Sequence, residues 1–417
     1  MGSILSFIAR TWRIYSPSEA PKTANALKVG ILGAANIATT VLIRPARTHP
    51  EVIVQAVAAR DRERAVTYAK KHGIPKVHDS YEAILNDPSI DAVYIPLPPG
   101  LHYEWAMKAL GKGKHVLVEK PAVVNAREAE ALFRSPLLQK PNAPILLEAL
   151  HHKFQPTWQY FLSLVDQLNL ERVHCLTKLP PYIIPENSVQ LNPDLGGGNL
   201  LNLGTYGISV LREVFGDEPE ECTSCTVRKS PLYETSDEAA EATFRFPGGL
   251  VGEISSDMRA KGLIMPTFTV GVVHKEVEIK DDSLPKGHKK MRVRKLTLNN
   301  FMMAAAWHRI DIEDEFIIRK SGSEESSGDI MKRWTKMESK TAYTFKEAGV
   351  DQPGEPSWIS FRHQLEQFVN RVRGREGSGL WVSNEDSLAQ ARVIDMAYEK
   401  SGLPLRRTSS FIERGGA

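Results

Sequence analysis

Cysteine is scarce in this 417-residue sequence, which contains only Cys175, Cys222 and Cys225. Such an odd and sparse set argues against a disulfide framework and favours a reducing, cytoplasmic compartment. A zinc site on Cys222 and Cys225 is disfavoured, because a second cysteine pair is missing and residues three apart on a strand point to opposite faces. We therefore expect no metal in this protein.

Long apolar runs and an excess of one charge are also missing. No run approaches the roughly 18 residues of a membrane span, so we expect no integral membrane segment. The 53 Lys and Arg residues nearly balance the 50 Asp and Glu residues, and no basic cluster indicates a nucleic-acid partner. The composition is that of an ordinary globular protein.

Residues 1–26 form an arm that has two interpretations. Gly2 stands in a sequence that formally fits N-myristoylation, and apolar residues recur at helical spacing between Ile4 and Tyr15. Such a helix fits a membrane surface, and it equally fits an arm packed on the protein itself. We favour the packed arm.

A regular alternation of strands and helices begins at residue 27 and predicts a dinucleotide-binding domain over residues 27–147. The buried strand Leu27–Leu32 runs into Gly-Ala-Ala-Asn-Ile-Ala at residues 33–38, which fits the fingerprint G-x-G-x-x-G/A with alanine in its second position. Gly33 allows the tight turn, and the small Ala35 lets a pyrophosphate approach the backbone. The helix that follows would point its free amides at the phosphates.

The tip of the second strand indicates which dinucleotide is bound. This strand, Val52–Ala58, is followed by Ala59 and Arg60. An NAD-selective enzyme usually has Asp or Glu here, to accept a hydrogen bond from the ribose 2′-hydroxyl. Arg60 can instead pair with a 2′-phosphate and stack on adenine. The sequence therefore predicts NADP, with NAD the less favoured cofactor.

A short apolar strand within residues 114–121 ends in Glu119, Lys120 and Pro121. Ligands of open α/β sheets bind beyond the carboxyl ends of the strands, and proline cannot continue a strand ladder. An ammonium at this strand end can reach cofactor and substrate together, and a lysine in such a place can equally be a solvated loop residue.

After residue 148 the pattern changes to successive β segments without intervening helices. Seven such segments occur between Val173 and Leu298, with further ones expected at 316–319 and 341–345. The fold class is therefore an N-terminal Rossmann-type, doubly wound parallel sheet (α/β) followed by an α+β domain with a large, mainly antiparallel sheet.

The second domain is expected to span residues 148–405, with a tail over 406–417. Helices at Ser360–Val372 and Glu385–Ser401 close it, and polar stretches at 286–290 and 322–328 are predicted loops.

Three glycines, Gly196–Gly198, precede a predicted helix that carries Asn202 and Tyr206. Residues four apart share one face of a helix. The neutral amide of Asn202 suits substrate orientation better than acid–base work, whereas Tyr206 has a titratable hydroxyl. We interpret the glycines as flexible.

Together these segments resemble the Gfo/Idh/MocA family of oxidoreductases. The resemblance covers about residues 27–405 and is nearest to the branch of dihydrodiol dehydrogenases and NADP-dependent D-xylose 1-dehydrogenases. The motifs that carry it are Gly33-x-Ala35-x-x-Ala38, Pro96–His102, Glu119-Lys120-Pro121, Glu148–Pro156 and Gly196–Gly198. The resemblance implies cofactor contacts from Gly33, Ala34, Ala35, Asn36, Ile37, Arg60, Leu97, Pro98, His102, Glu119 and Lys120.

The resemblance also implies the catalytic and substrate residues. Lys120 and Tyr206 would form the catalytic pair. A free tyrosine has a pKa near ~10, and a neighbouring ammonium would lower it, which would let Tyr206 act as acid and base. His151, Lys153, Asn202 and Tyr206 would line the substrate pocket.

Three functions compete at this point. The first is an NADP-dependent oxidoreductase that transfers a hydride between the nicotinamide and a sugar, cyclic diol or related alcohol or carbonyl, as D-xylose 1-dehydrogenases do. The second is a trans-1,2-dihydrodiol dehydrogenase that uses the same residues. The third is a non-catalytic dinucleotide-binding regulator, which the retention of Lys120 and Tyr206 argues against.

The expected assembly is a homodimer through the second-domain sheet. The resemblance implies it, and the alternating segments are expected to place apolar residues on both faces of that sheet.

Overall fold

The computed structural model describes residues 4–320 and 330–414. The myristoylation pattern at Gly2 and the loop predicted at 322–328 lie outside the described residues. Within them, no helix combines the length and the apolar character needed to cross a membrane.

The N-terminal arm contains helix α1 (Ile4–Tyr15). The Arg10 guanidinium donates to the carbonyl oxygens of Ala305 and Ala306 at 2.9 and 3.0 Å, and these contacts hold the arm against the second domain. Trp12 on the same helix is 71% exposed. The arm therefore rests on the protein, as expected, and a basic side chain makes these hydrogen bonds.

A six-stranded parallel sheet in the order β3-β2-β1-β4-β5-β6 organises the first domain. Its strands are β1 (Leu27–Leu32), β2 (Val52–Ala58), β3 (Lys76–Val77), β4 (Ala92–Ile95), β5 (His115–Val118) and β6 (Leu146–Glu148). The helices that cover its faces are α2 (Arg44–Thr48), α3 (Arg62–His72), α4 (Tyr81–Asn86), α5 (His102–Gly111) and α6 (Ala126–Phe133). The strand order reverses between β1 and β4, which is the switch point where such sheets bind ligands.

The second domain is built on a nine-stranded sheet in the order β15-β14-β13-β11-β7-β10-β9-β8, with β12 paired to β13. Its strands are β7 (Leu170–Lys178), β8 (Glu221–Lys229), β9 (Asp237–Phe246), β10 (Leu250–Asp257), β11 (Thr267–His274), β12 (Val277–Ile279), β13 (His288–Asn299), β14 (Arg309–Lys320) and β15 (Ile330–Lys340). Neighbouring strands are antiparallel except β7 and β10, which are parallel. Both sheets confirm the predicted fold class.

Helices α7 (Pro156–Ser163) and α8 (Thr205–Phe215) belong to the second domain. Ile208 and Leu211 of α8 share a buried cluster with Ile254 of β10, so α8 covers one face of the large sheet.

The opposite face of this sheet is more polar than expected. The strand registers place mainly polar side chains there, among them His174, Ser255, Thr269, Thr297 and Asp311. The expectation of apolar residues on both faces holds only for a few positions, such as Leu176, which pairs with Ser255 and Thr269.

Two further predictions in this sheet are also wrong. Residues 341–345, predicted as a strand, lie outside the strands, and the strand at this edge of the sheet is β15. Its side chains are largely exposed on both faces, so its sequence lacks the alternation by which strands are recognised. The loop predicted at 286–290 is shortened, because β13 begins at His288.

The C-terminal helices α9 (Ser360–Val372), α10 (Asn384–Ser401) and α11 (Ser410–Glu413) return to the first domain. Leu365 of α9 lies in the same buried cluster as Ile31 of β1. The sequence assigned α9 to the second domain, yet its apolar side packs on the dinucleotide domain.

The predicted tail is held in place by Arg406. Its guanidinium is buried and donates to Gly197 O at 2.7 Å and to Asp237 at 2.9 Å. The start of the tail therefore supports the glycine turn of the second domain.

Candidate active site

A cleft of about 1040 Å³ lies between the two domains, beyond the carboxyl ends of the parallel strands. Thirteen of the predicted site residues line it: Gly33, Ala34, Ala35, Asn36, Ile37, Arg60, Leu97, Pro98, Glu119, Lys120, His151, Asn202 and Tyr206. His102 and Lys153 are predicted site residues that do not line it.

The turn after β1 has the shape expected of a phosphate-binding turn. Gly33 has φ +115°, and a Cβ added to it would lie 3.0 Å from Leu97 Cδ2. Only glycine combines this backbone conformation with so close a neighbour. The Tyr68 hydroxyl donates to Ala35 O at 2.9 Å and fixes the far side of the turn.

Two arginines line the cleft on the side of the turn at Gly33, of which the sequence analysis identified one. Arg60 is exposed at the tip of β2, as expected. Arg64, in the first turn of α3, also lines the cleft, and its guanidinium donates to Ala34 O at 3.1 Å. Its spacing of four from Arg60 was a signal that could have revealed it.

The turn that faces Gly33 is held from behind by His102. Its ring nitrogens lie 2.8 Å from Pro121 O and 2.6 Å from Leu97 O, and the side chain is 1% exposed. Burial lowers the pKa of His102 to about 4. Contrary to the prediction, His102 supports the cleft wall from outside the cleft.

The charged pair at the end of β5 is partly buried. The Tyr94 hydroxyl donates to Glu119 Oε1 at 2.7 Å. Lys120 Nζ donates to Asn202 O at 2.7 Å and to Asn202 Oδ1 at 2.9 Å. Burial lowers the pKa of Lys120 to about 8, against the opposing influence of Glu119 and a second carboxylate. The lysine therefore links the dinucleotide domain to the second domain.

Tyr206 lies beside this lysine on α8. Lys120 Nζ is 4.7 Å from the centroid of the Tyr206 ring, whereas the Tyr206 hydroxyl is 3.1 Å from His151 Nε2. Burial, reinforced by Glu119 and Glu148, raises the pKa of Tyr206 well above its ordinary value. The expectation that Lys120 lowers this pKa is wrong, because burial outweighs an ammonium that sits over the ring.

Lys153 belongs to a cluster of ion pairs beside the cleft. Its Nζ lies 2.5 Å from Asp386 Oδ2 and 3.9 Å from Glu213 Oε2. Arg212 pairs with the same Asp386 at 2.7 Å. These carboxylates hold the ammonium away from the cleft, contrary to the prediction that Lys153 lines the substrate pocket.

All three glycines of the triplet serve close packing, and the first of them does so between the domains. Gly196 has φ +75°, and a Cβ added to it would lie 2.8 Å from Gly100 N and 3.0 Å from Pro99 Cβ. The interpretation of these glycines as flexible gives way to a steric one, because a larger residue would push the two walls of the cleft apart.

The sequence analysis missed most of the substrate side of the cleft. Its apolar lining residues are Leu179, Val189, Leu203, Phe268, Met302, Met303 and Phe361. Gln190 adds an amide, whose oxygen accepts from Asn202 Nδ2 at 2.7 Å. These residues come from distant segments and look like ordinary core residues, so no local pattern identifies them. Among the described residues, no cluster of His, Cys, Asp and Glu could hold a metal ion.

Comparisons with known proteins show which family this chain is similar to. Residues 27–136 match the model of the GFO/IDH/MocA oxidoreductase family with an NAD-binding Rossmann fold, and residues 170–271 match the GFO/IDH/MocA C-terminal domain. A D-xylose 1-dehydrogenase (NADP(+)) of Haloferax volcanii is 38% identical over 45% of this chain and 57% of its own length. The match thus spans little more than half of that relative.

Other relatives are matched over a larger share. A trans-1,2-dihydrobenzene-1,2-diol dehydrogenase of Xenopus tropicalis is 32% identical over 56% of this chain and 70% of its own length. A 3-ketoreductase from Actinomadura kijaniata, solved with NADP and TDP-benzene, superposes with a TM-score of 0.65 at 22% identity, over 90% of this chain and 98% of its own. The latter supports the fold alone. The family models and the curated relatives together show that this chain belongs to the Gfo/Idh/MocA family of oxidoreductases.

Proposed function

We propose that this protein is an NADP-dependent oxidoreductase that interconverts an alcohol and a carbonyl in a neutral small molecule. The observation that carries the proposal is the meeting of Lys120 and Tyr206, from two domains, at the inner end of one cleft. The turn at Gly33 lines the same cleft. This supports a site in which a dinucleotide and a proton-transfer group act together.

The residues present fit NADP. The left-handed turn at Gly33 leaves room for a pyrophosphate, and Arg60 and Arg64 offer cations to a 2′-phosphate. The Haloferax relative is named for NADP(+), which supports NADP over NAD.

Residues of this chain would transfer the proton of the reacting hydroxyl group. Bound nicotinamide supplies the hydride donor or acceptor. Lys120, with a pKa lowered to about 8 by burial, can give or take a proton at the reacting oxygen near neutral pH. Tyr206, whose pKa is raised by burial, stays protonated and donates a hydrogen bond to the same oxygen.

A ring-bearing diol is the second candidate substrate beside a sugar of the D-xylose type. The substrate side of the cleft has a largely apolar wall, formed by residues such as Phe268, Met302 and Phe361. A free pentose would leave this wall without a matching surface, whereas a cyclic diol would cover it. Relatives with both kinds of name match this chain.

A panel of aldoses and cyclic diols tests the proposal. Purified protein is mixed with NADP and each alcohol, and the absorbance of the reduced cofactor is followed. We expect turnover with at least one class, and none after Lys120→Ala. Tight NADP binding without turnover on any alcohol, or on the corresponding carbonyls with NADPH, would favour the regulator instead.

We further propose a homodimer through the open face of the large sheet, in the cytoplasm. The short residues Ser255, Thr269 and Gly271 at the centre of this face allow a second sheet to approach closely, and the three free cysteines suit a reducing compartment. Light scattering at micromolar concentration should give twice the chain mass. A Thr269→Arg variant should shift the mass to that of one chain, and an unmodified protein that is monomeric would contradict the proposal.

A further inference from the structure

The hydroxyl of Tyr206 has a partner that the chemistry described above leaves unused. His151 Nε2 lies 3.1 Å from this hydroxyl, and His151 Nδ1 lies 2.8 Å from Ser360 Oγ. Ser360 is the first residue of α9, 209 positions after His151 in the chain. The three polar groups form one line that ends at the cleft.

Packing holds the His151 ring in this position. The ring is 3% exposed, and its centroid lies 4.0 Å from that of Phe361 and 5.5 Å from that of Tyr206. The ring therefore packs against both neighbours while its two nitrogens contact Tyr206 and Ser360.

Only one nitrogen of this imidazole carries a proton. Burial, with a smaller effect of the nearby Lys120 ammonium, lowers the pKa of His151 to about 3. A neutral imidazole has one N–H donor and one acceptor nitrogen. Two directions of hydrogen bonding are then open, and they have opposite consequences for Tyr206.

We propose that Ser360 donates to His151 Nδ1, that His151 Nε2–H donates to Tyr206, and that the Tyr206 proton is thereby directed at the reacting oxygen of the substrate. With the opposite direction of hydrogen bonding, Tyr206 would donate its proton to His151 and could not donate it to the substrate. His151 and Ser360 are positioning residues in this arrangement. The inference rests on the proposed function and specifies how its hydrogen-bond donor is set.

This series of hydrogen bonds also makes the Tyr206 hydroxyl a stronger donor. A hydroxyl that accepts a hydrogen bond becomes a better donor, so each link polarises the next. The series begins at the uncharged hydroxyl of Ser360. It therefore orients Tyr206 without adding a charge beside Lys120. This suits a site in which the lysine exchanges the proton and the phenol holds the oxygen.

The tautomer of His151 is directly measurable. In protein labelled with ¹⁵N-histidine, NMR distinguishes Nε2–H from Nδ1–H imidazole, and the His151 signals are identified by their loss in His151→Phe. We expect the Nε2–H form, and we expect Ser360→Ala to reduce its population. An Nδ1–H form in the unmodified protein would overturn the inference, whether or not any substrate is known.

A double-mutant cycle provides the second measurement. His151→Phe keeps an aromatic ring but removes the donor, and we expect kcat to fall about tenfold with KM within about twofold, as for the loss of one neutral hydrogen bond. In a Tyr206→Phe background the same change should cost little more. Multiplicative losses in the two backgrounds would show that His151 acts by packing and would overturn the inference.

Two serine variants supply matched controls. Ser360→Thr keeps the hydroxyl and should retain most of kcat, whereas Ser360→Ala should lower it severalfold. Ser357→Ala, on the segment just before α9, should change neither kcat nor the histidine spectrum. Equal effects of Ser360→Thr and Ser360→Ala would count against the donor role. If the unmodified enzyme turns over no alcohol, the proposed function fails separately, because the NMR result stands alone.

Discussion

The two walls of the cleft use polar groups in different ways. The cofactor wall presents cations, Arg60 and Arg64, together with the backbone of the turn at Gly33. The substrate wall is mainly apolar, and its titratable groups His151 and Tyr206 are held neutral by burial. One wall is built to attract a charged ligand, and the other to direct a few hydrogen bonds.

This difference between the walls separates affinity for the charged cofactor from selectivity among substrates. Exposed arginines and free amides stabilise a polyanion whatever is attached to it. On the apolar wall, by contrast, a misplaced hydroxyl of the substrate would leave a buried polar group unpaired, and that costs about 1–3 kcal/mol. We expect changes on the first wall to alter cofactor choice and changes on the second to alter turnover and substrate range.

Removing the catalytic pair should have the largest effect. Lys120→Ala and Tyr206→Phe should each lower kcat by about 10² to 10⁴-fold, the usual worth of a positioned acid, base or oxyanion donor. Because the two groups act on one oxygen, the double variant should be little worse than either single one. Steady-state kinetics measures this effect.

The affinity for NADP provides the check on this first prediction. It should survive Tyr206→Phe, since the phenol is on the substrate wall, and Lys112→Ala at the exposed end of α5 should leave kcat unchanged. Normal turnover of Tyr206→Phe on every substrate would contradict the assignment of Tyr206 to the catalytic pair.

The pH dependence should follow Lys120. Because burial lowers its pKa to about 8, kcat/KM for alcohol oxidation should rise about tenfold per pH unit up to pH about 8 and then level off. Carbonyl reduction needs the protonated amine, so it should fall above the same pH. In Lys120→Arg the guanidinium keeps its proton, and an inflection that persisted in this variant would belong to another group.

Substitutions on the cofactor wall should change the affinity for the cofactor and not the rate of the chemical step. We expect NADP to bind at least ten times more tightly than NAD, a difference of about 1.4 kcal/mol. Arg60→Ala should erase most of this difference by removing a partner of the 2′-phosphate. The matched control is Arg62→Ala, because Arg62 pairs with Asp79 at 2.6 Å on the surface. Equal titration curves for the two cofactors in the unmodified protein would refute the prediction.

The smallest kinetic effect is expected at Lys153. Lys153→Met should lower stability by about 2 kcal/mol, less than the loss of a fully buried partner, because the Lys153 and Asp386 side chains are 12% and 20% exposed. KM should stay within about twofold, since the ammonium lies away from the cleft. Thermal unfolding, with Lys140→Met as a surface control, measures the loss of stability. A large rise in KM would show that Lys153 contacts the substrate after all.

The cofactor wall could largely be predicted from the sequence because its signals are local. The turn at Gly33, the cation at Arg60 and the strand end at Lys120 are each defined by a few neighbouring residues. Helix α3 is similar: the Asp61 side chain accepts from Arg64 N at 3.1 Å at its start, and Gly73 with φ +69° ends it. Such caps have the same meaning in any fold.

The substrate wall could not be predicted in the same way. The contact between His151 and Ser360 depends on how α9 packs against the first domain, and Lys153 meets Asp386 only because α10 passes nearby. The direction of the Tyr206 pKa depends on burial, which a sequence motif does not reveal. These properties arise from tertiary packing between segments that are far apart in the chain.

One contact at the site has an evolutionary consequence. Lys120 is bound by the main-chain oxygen of Asn202 as well as by its side chain. Every amino acid carries that carbonyl, so mutation at position 202 can replace the side chain while the lysine keeps a ligand from the second domain. Such a position can change its side chain, and with it the shape of the cleft, while the Lys120 ammonium stays anchored to the second domain.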